Sequence, residues 1–240
     1  MKVPAIRGLM DRRILANYRV DPQVMAKVLP APFRPKVIND YAIGGICLIR
    51  LKKIRPAFLP FPFGGTSENA AHRIAVEWDT DGKTHEGVYV PRRDTDSYLN
   101  AVIGSKVFPT LLHYAAFETK EENDNYYVAM KSKDNTAFVE VEGHLISELP
   151  KTSVFKNLQE ASVFFEAGAV GYSDTRQKGK YDGIELQCKN WKVEALQIEN
   201  VRSSFFDDIA KFPKGTVEFD CALLMRDIDH KWHSRSAICC

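Results

Sequence analysis

Apolar and polar positions alternate along most of this chain. Ile14, Ala16, Tyr18 and Val20 interleave with Leu15, Asn17 and Arg19, and His72, Ile74, Val76 and Trp78 interleave with Arg73, Ala75 and Glu77. A period of two places successive side chains on opposite faces of an extended strand. Further strands are expected at Ala42–Leu51, Glu86–Arg92, Leu111–Glu118, Asn125–Lys131, Ala137–Leu145, Ile184–Cys188, Trp191–Ile198 and Thr216–Met225. The polar stretches Lys120–Asp124 and Ser132–Asn135 read as hairpin connections. Helical signals are few. Asp21-Pro22 pairs an N-cap with a proline at the first helical position, opening a short helix that ends before Pro30. Asn157 or a neighbour opens a second, with Leu158, Ala161, Phe164 and Phe165 on one stripe and Gly168 as its stop. A third is expected over Thr95–Val102, capped by Thr95 or Asp94. Roughly ten strands with two or three short helices predict a mainly β fold, a single antiparallel or mixed β-barrel decorated by helices. No internal repeat or linker divides it, so residues 1–240 are expected to form one domain.

Composition narrows the partners. The chain carries 33 basic and 31 acidic side chains, net +2, which leaves no electrostatic footprint for nucleic acid or an anionic membrane. No run of apolar residues is long enough for a membrane-spanning helix. Met1–Arg7 is short and mixed, with Asp11-Arg12-Arg13 following and no apolar stretch between, so no secretory leader is expected. The five cysteines, 47, 188, 221, 239 and 240, are odd in number and lack CxxC spacing, which argues against a disulfide framework or a zinc site. The expected setting is a reducing cytoplasm, with the Cys239-Cys240 tail frayed. The six histidines show no helical i, i+4 spacing, His230 and His233 are expected in a charged tail, and neither a metal nor a cofactor is expected.

Candidate chemistry lies in polar clusters beside apolar strands. In Val90-Pro91-Arg92-Arg93-Asp94-Thr95, two arginines and a carboxylate close a strand. They form either a clamp for a carboxylate or phosphate or an internal brace between strands. Ser67-Glu68-Asn69 leads into His72 and Arg73, and Arg202–Asp208 sets polar groups around two phenylalanines. Glu218, Asp220 and Arg226 share one expected strand face, with Val217, Phe219, Cys221 and Leu223 on the other. Arg92 or Arg93, with Glu77 or Glu218, are expected to point into a shared cavity that binds a small anion. Lys106 is a candidate amine nucleophile if an apolar pocket lowers its pKa, and a surface lysine otherwise. Pro56–Gly65, aromatic and apolar for a loop, reads as a cover over the core or as a contact surface.

Six of these blocks, NYRVDP, CLIRLKKIRP, SENAAHRIAVEW, VYVPRRDT, VRSSFFDD and ALLMRDIDHKW, together resemble the YqjF-like uncharacterised conserved proteins, over most of the span from Asp11 to Trp232. That group is similar in fold to acetoacetate decarboxylase, whose domain is a cone-shaped β-barrel around a small pocket. The resemblance implies the same fold here. It does not carry over a nucleophile. The decarboxylase forms a Schiff base through a lysine in a segment like Gly-Tyr-Pro-Lys-Lys, and the matching segment here is Val107-Phe108-Pro109-Thr110-Leu111-Leu112, with Thr110 in the lysine's place. The expectation is an acetoacetate decarboxylase-like barrel that binds a small carboxylate or carbonyl compound in its pocket and lacks the family's Schiff-base lysine. Two alternatives stand beside it: a lyase or decarboxylase using Lys106, and a non-catalytic scaffold that meets a protein partner through the Pro56–Gly65 loop; on any of these readings association as a homo-oligomer is left open.

Overall fold

A computed structural model describes residues 5–61, 65–97 and 111–239. In chain order the elements are β1 (Ile6–Val20), α1 (Pro22–Val28), β2 (Arg34–Pro35), β3 (Val37–Ile38), β4 (Tyr41–Pro56), β5 (Ser67–Thr80), β6 (Lys83–Thr95), β7 (His113–Glu122), β8 (Asn125–Ser132), β9 (Phe138–Ile146), α2 (Leu158–Ala167), β10 (Val170–Asp174), β11 (Lys180–Cys188), β12 (Glu194–Ser203) and β13 (Val217–Cys239). The mainly β expectation holds. Two helices are present among the described residues, and both start as the sequence indicates. The Asp21 side chain accepts from the amides of Gln23 and Val24, and that of Asn157 accepts from the Glu160 amide. Of the third expected helix, Thr95 ends β6, and residues 98–102 lie outside the described residues.

The strands form one sheet that closes on itself. Five neighbours, β6-β5-β4-β1-β13, pair antiparallel and make a wall. Beyond the wall, β7-β8-β9-β12 runs from β6 to β13 and completes a ring. A shorter path, β10-β11, also links β6 to β13. The ladder is antiparallel except where β6 meets β7 and β10, both parallel. Tight turns set the antiparallel registers. Asp81-Gly82 and Asn123-Asp124 each carry two consecutive positive φ values between paired strands, the turn geometry whose twist matches a hairpin.

Strand alternation gives the wall two apolar faces. The first holds Ile14, Ala16, Ile46, Leu48, Ile74 and Val76, which join Val128, Val141 and Leu224 in the largest core cluster. The second holds Leu15, Ile43, Cys47, Ala75 and Leu223, covered by Phe164 and Phe165 of α2. Met10, Leu51 and Met225 form a third cluster, against which Leu186 and Cys188 of β11 pack. Burying a phenylalanine of α2 contributes roughly 1.5–3 kcal/mol, which anchors a helix too short to be stable alone.

Two expectations need correction. Val217, Phe219, Cys221 and Leu223 do not share a face. Asn17 pairs with Cys221 and Tyr18 with Phe219, leaving Asp220 as an extra residue. This bulge reverses the alternation, so Phe219 packs on the first-face cluster while Cys221 and Leu223 sit in the second. Nor is the stretch around His230 and His233 a charged tail. Both residues lie in β13, paired with β11, and His230 is buried.

Candidate functional site

Consecutive residues of a strand point to opposite sides. Arg12 and Arg13 on β1, and Arg92 and Arg93 on β6, therefore serve opposite faces of the wall, and the two faces treat their charges differently.

On the first face every arginine meets carboxylates. Arg12, 1% exposed, ion-pairs with Glu68 of β5 and with Glu121 of β7, the latter at 3.1 Å. Arg50 of β4 reaches the same two glutamates and Asp11, and its Nη2 also donates to the Thr119 hydroxyl. Two arginines and two glutamates thus cancel in one network, buried at Arg12 and Glu68 and partly exposed at Arg50 and Glu121. Burial pulls the Arg12 guanidinium below its ordinary pKa, against the opposing pull of the two glutamates. The Arg12 Nε is buried without a hydrogen-bond partner. At the same end, the Asp96 carboxylate accepts from the Glu68 amide at 2.9 Å, and desolvation lifts its pKa above the usual carboxylate range.

Arg92 is a brace. Its Nε and Nη2 donate to Asp94 at 2.9 and 2.8 Å, its Nη2 also reaches Asp134, and its Nη1 donates to the Thr136 hydroxyl at 2.7 Å. Hydrogen bonds from the Ser132 and Thr136 hydroxyls hold Asp134 well below the usual carboxylate range, with Arg92 adding to the effect.

The second face is different. Cross-strand register places Leu15, Cys47, Ala71 and Arg93 in one row and Asn17, Gly45 and Arg73 in the next. The Arg73 Nη2 donates to the Asn17 side-chain oxygen, and its guanidinium lies over the Phe165 ring, 4.7 Å from the centroid. Gly45 makes this possible, because a Cβ there would stand 2.7 Å from the Ala16 carbonyl and 3.3 Å from the Arg73 Nη2. The Arg13 Nε donates to the Cys47 sulfur at 3.2 Å, and its guanidinium lies over Trp191. Among the described residues no carboxylate pairs with Arg13, Arg73 or Arg93. Burial lowers both Arg73 and Arg93 to about 10, with the charge of Arg13 adding to the effect at Arg73.

The four expected site residues do not meet in one cavity. Arg92 is bound on the first face, and Arg93, on the second, has no carboxylate partner among the described residues. Glu77 pairs with Arg34 at the sheet margin. Glu218 is 69% exposed and pairs with Arg19, next to the Asp220 bulge. Lys106 and Thr110 lie outside the described residues. Arg12, Arg13, Arg50 and Glu121 were not singled out as site residues, although the alternation from Ile14 onward already assigns Arg12 and Arg13 to opposite faces. Among the described residues no three histidine, cysteine or acidic side chains come together as metal ligands, and no helix is long and apolar enough to cross a membrane.

Comparison with known proteins gives a family and a fold. A family model described as "Uncharacterized conserved protein (COG2071)" matches residues 10–218. No curated protein matches. Among solved structures, the chain is similar to the acetoacetate decarboxylase of Legionella pneumophila at a TM-score of 0.63 and 10% identity, covering 98% of this chain and 88% of that one. An acetoacetate decarboxylase-like enzyme from Sphingomonas wittichii RW1 gives 0.56 and 10%, covering 100% and 94%. The enduracididine biosynthesis enzyme MppR, complexed with pyruvate, gives 0.56 and 9%, covering 100% and 91%.

Proposed function

We propose, from the premise that the chain belongs to the DUF2071 family of conserved proteins, that it binds a small carboxylate or carbonyl compound on the first face of the wall, beside Arg12. The observation that carries this reading is the buried Arg12 guanidinium, whose Nη atoms are taken by Glu68 and Glu121 while its Nε donor is unused. An orphaned buried donor costs on the order of 1–3 kcal/mol, and one ligand oxygen removes that cost. Because the arginines and glutamates around it cancel, the site suits a neutral carbonyl or a single carboxylate and disfavours a polyanion. The fold supports the reading, since a protein of the same fold is complexed with pyruvate.

Imine chemistry is not part of the proposal. An imine needs an unprotonated amine, and Thr110, at the position matching the decarboxylase lysine, has none. Lys106 is the competing nucleophile, and an ordinary lysine with a pKa of about 10.4 is protonated near neutrality.

Two measurements test this. Pyruvate is expected to raise the thermal midpoint of the wild type relative to equal sodium chloride, and to raise that of Arg12→Lys by clearly less, because lysine keeps the charge but loses the Nε donor. An equal rise in both proteins would remove Arg12 from the site. If Arg12→Lys does not fold, calorimetric titration of the wild type with pyruvate decides whether it binds at all. Borohydride reduction in the presence of acetoacetate or acetopyruvate, followed by intact-mass measurement, is expected to give no adduct. A stoichiometric adduct on Lys106 would replace the binding reading with a lyase.

A further inference from the structure

We propose that the cavity between the second face of the wall and α2 is a separate binding site for a small organic carboxylate, gripped by Arg73 and Arg13 with Arg93 beside them.

The argument starts from charge. The first-face arginines Arg12, Arg50 and Arg92 all have carboxylate partners. Their second-face neighbours in sequence, Arg13 and Arg93, have none among the described residues, and neither does Arg73. Burying a cation without a counter-charge is costly, and proteins normally avoid it by pairing. Here buried Arg73 and half-buried Arg13 line one cavity, and Arg93 stands in the neighbouring cross-strand row. Arg73 is 5% exposed and its Nε has no hydrogen-bond partner. Arg93 makes no hydrogen bond or ion pair with any described residue. Lys36, at the same cavity, is already paired with Glu86. For buried Arg73, with no carboxylate partner among the described residues, a ligand carboxylate is the counter-charge that this proposal supplies.

Space and lining choose the ligand. The cavity leaves about 30 Å³ for the centres of water-sized groups. A cavity needs roughly 10–15 Å³ to hold a water, so this one admits a small molecule of a few heavy atoms such as acetate and excludes a large one. The remaining lining includes Phe164, Phe165 and Leu15, which suits a short apolar tail and strips hydration from a phosphate without replacing it. A planar guanidinium presents parallel N–H groups to a carboxylate, and the Phe165 ring under Arg73, with the Asn17 oxygen at its Nη2, holds the guanidinium in place.

Trp191 offers a local reading of the site. The Arg13 guanidinium lies 5.7 Å from its ring centroid, and its indole N–H donates to Ser162 of α2 at 3.0 Å. In titrations at constant ionic strength, acetate or propionate is expected to change tryptophan fluorescence saturably, and Trp191→Phe is expected to abolish the change. Arg73→Met, which keeps volume but removes the charge, is expected to weaken the response at least tenfold. Arg93→Met is expected to weaken it likewise while leaving the ligand-free thermal midpoint equal to or above wild type, since it removes a half-buried charge that has no counter-ion among the described residues. It also serves if Arg73→Met fails to fold. Arg12→Lys is expected to respond as wild type, which separates this site from the one proposed at Arg12. The proposal is overturned if no carboxylate acts beyond sodium chloride, if inorganic phosphate saturates the signal and acetate does not, or if both methionine variants respond as wild type.

Discussion

At the scale of single residues, burial sets the charge states, and two histidines expose this to measurement. His72, on the first face, shares its Nε2 with the Ser203 hydroxyl at 2.9 Å, while its Nδ1 has no partner. Burial pushes its pKa down to about 3, with the charges of Arg92 and Lys211 acting in the same direction. Burial pushes His230 down to about 4. Both stay neutral in the fold, whereas the unfolded chain takes up protons near pH 6.5. Stability is therefore fully present above about 6.5 and is lost as pH falls from there toward the folded values. Each histidine contributes a slope of about 1.4 kcal/mol per pH unit within that window. Urea unfolding between pH 6.5 and 5 is expected to show this decline, and His72→Gln to remove about half of it. An unchanged slope in that variant would mean that His72 titrates normally. The sequence shows His72 on an apolar strand face, but not that its Nδ1 goes unpartnered, because that depends on what the other side of the ring brings.

Elements were easier to read than faces. The cap of α2 and its stop at Gly168 are written locally in Asn157, Glu160 and the apolar stripe. The capping oxygen of Asn157 lies 2.9 Å from the Glu160 amide, and the Glu160 carboxylate accepts in turn from the Lys156 amide. Asn157→Ala is expected to cost about 1 kcal/mol of stability, measured by chemical denaturation. A change below a few tenths would show that packing of Phe164 and Phe165 alone holds the helix start. The faces of β13 were harder to read. Asp220 accepts from the Ser153 hydroxyl and the Val154 amide, contacts sixty-odd residues away in the chain, and so the bulge that flips Phe219 against Cys221 leaves no mark in the local alternation. The same non-locality explains the expected cavity of Arg92, Arg93, Glu77 and Glu218. Alternation alone forbids Arg92 and Arg93 from sharing a face, but only the cross-strand register shows which of them lacks a counter-ion.

Across the whole molecule, the fold class was legible because long alternating runs leave little but a closed sheet to bury them. What stayed hidden is how the ends of the wall are shared. β13 extends from Val217 to Cys239, well past the expected end at Met225, because its last residues pair with β11 over Lys180–Cys188. Deleting residues 230 onward is expected to remove that whole ladder and to lower the urea midpoint strongly. Arg235→Ala, which breaks only a half-exposed pair with Glu185, should stay within about 1 kcal/mol. Near-wild-type stability after the deletion would mean that β10 and β11 hold to the wall without β13.

The two strands that bound the wall each change partner partway along one edge. β6 bonds β10 through Val88–Val90 and β7 through Asp94–Thr95, and β13 bonds β12 through Ala222–Leu224 and β11 from His230 onward. The molecule is therefore a partition with two independent hoops fastened to it at different heights. A lengthened or broken turn within β7-β8-β9 loosens one hoop without unfastening the other, so the β7-β8-β9-β12 and β10-β11 segments are free to diverge in sequence on separate schedules while the partition between them is held fixed.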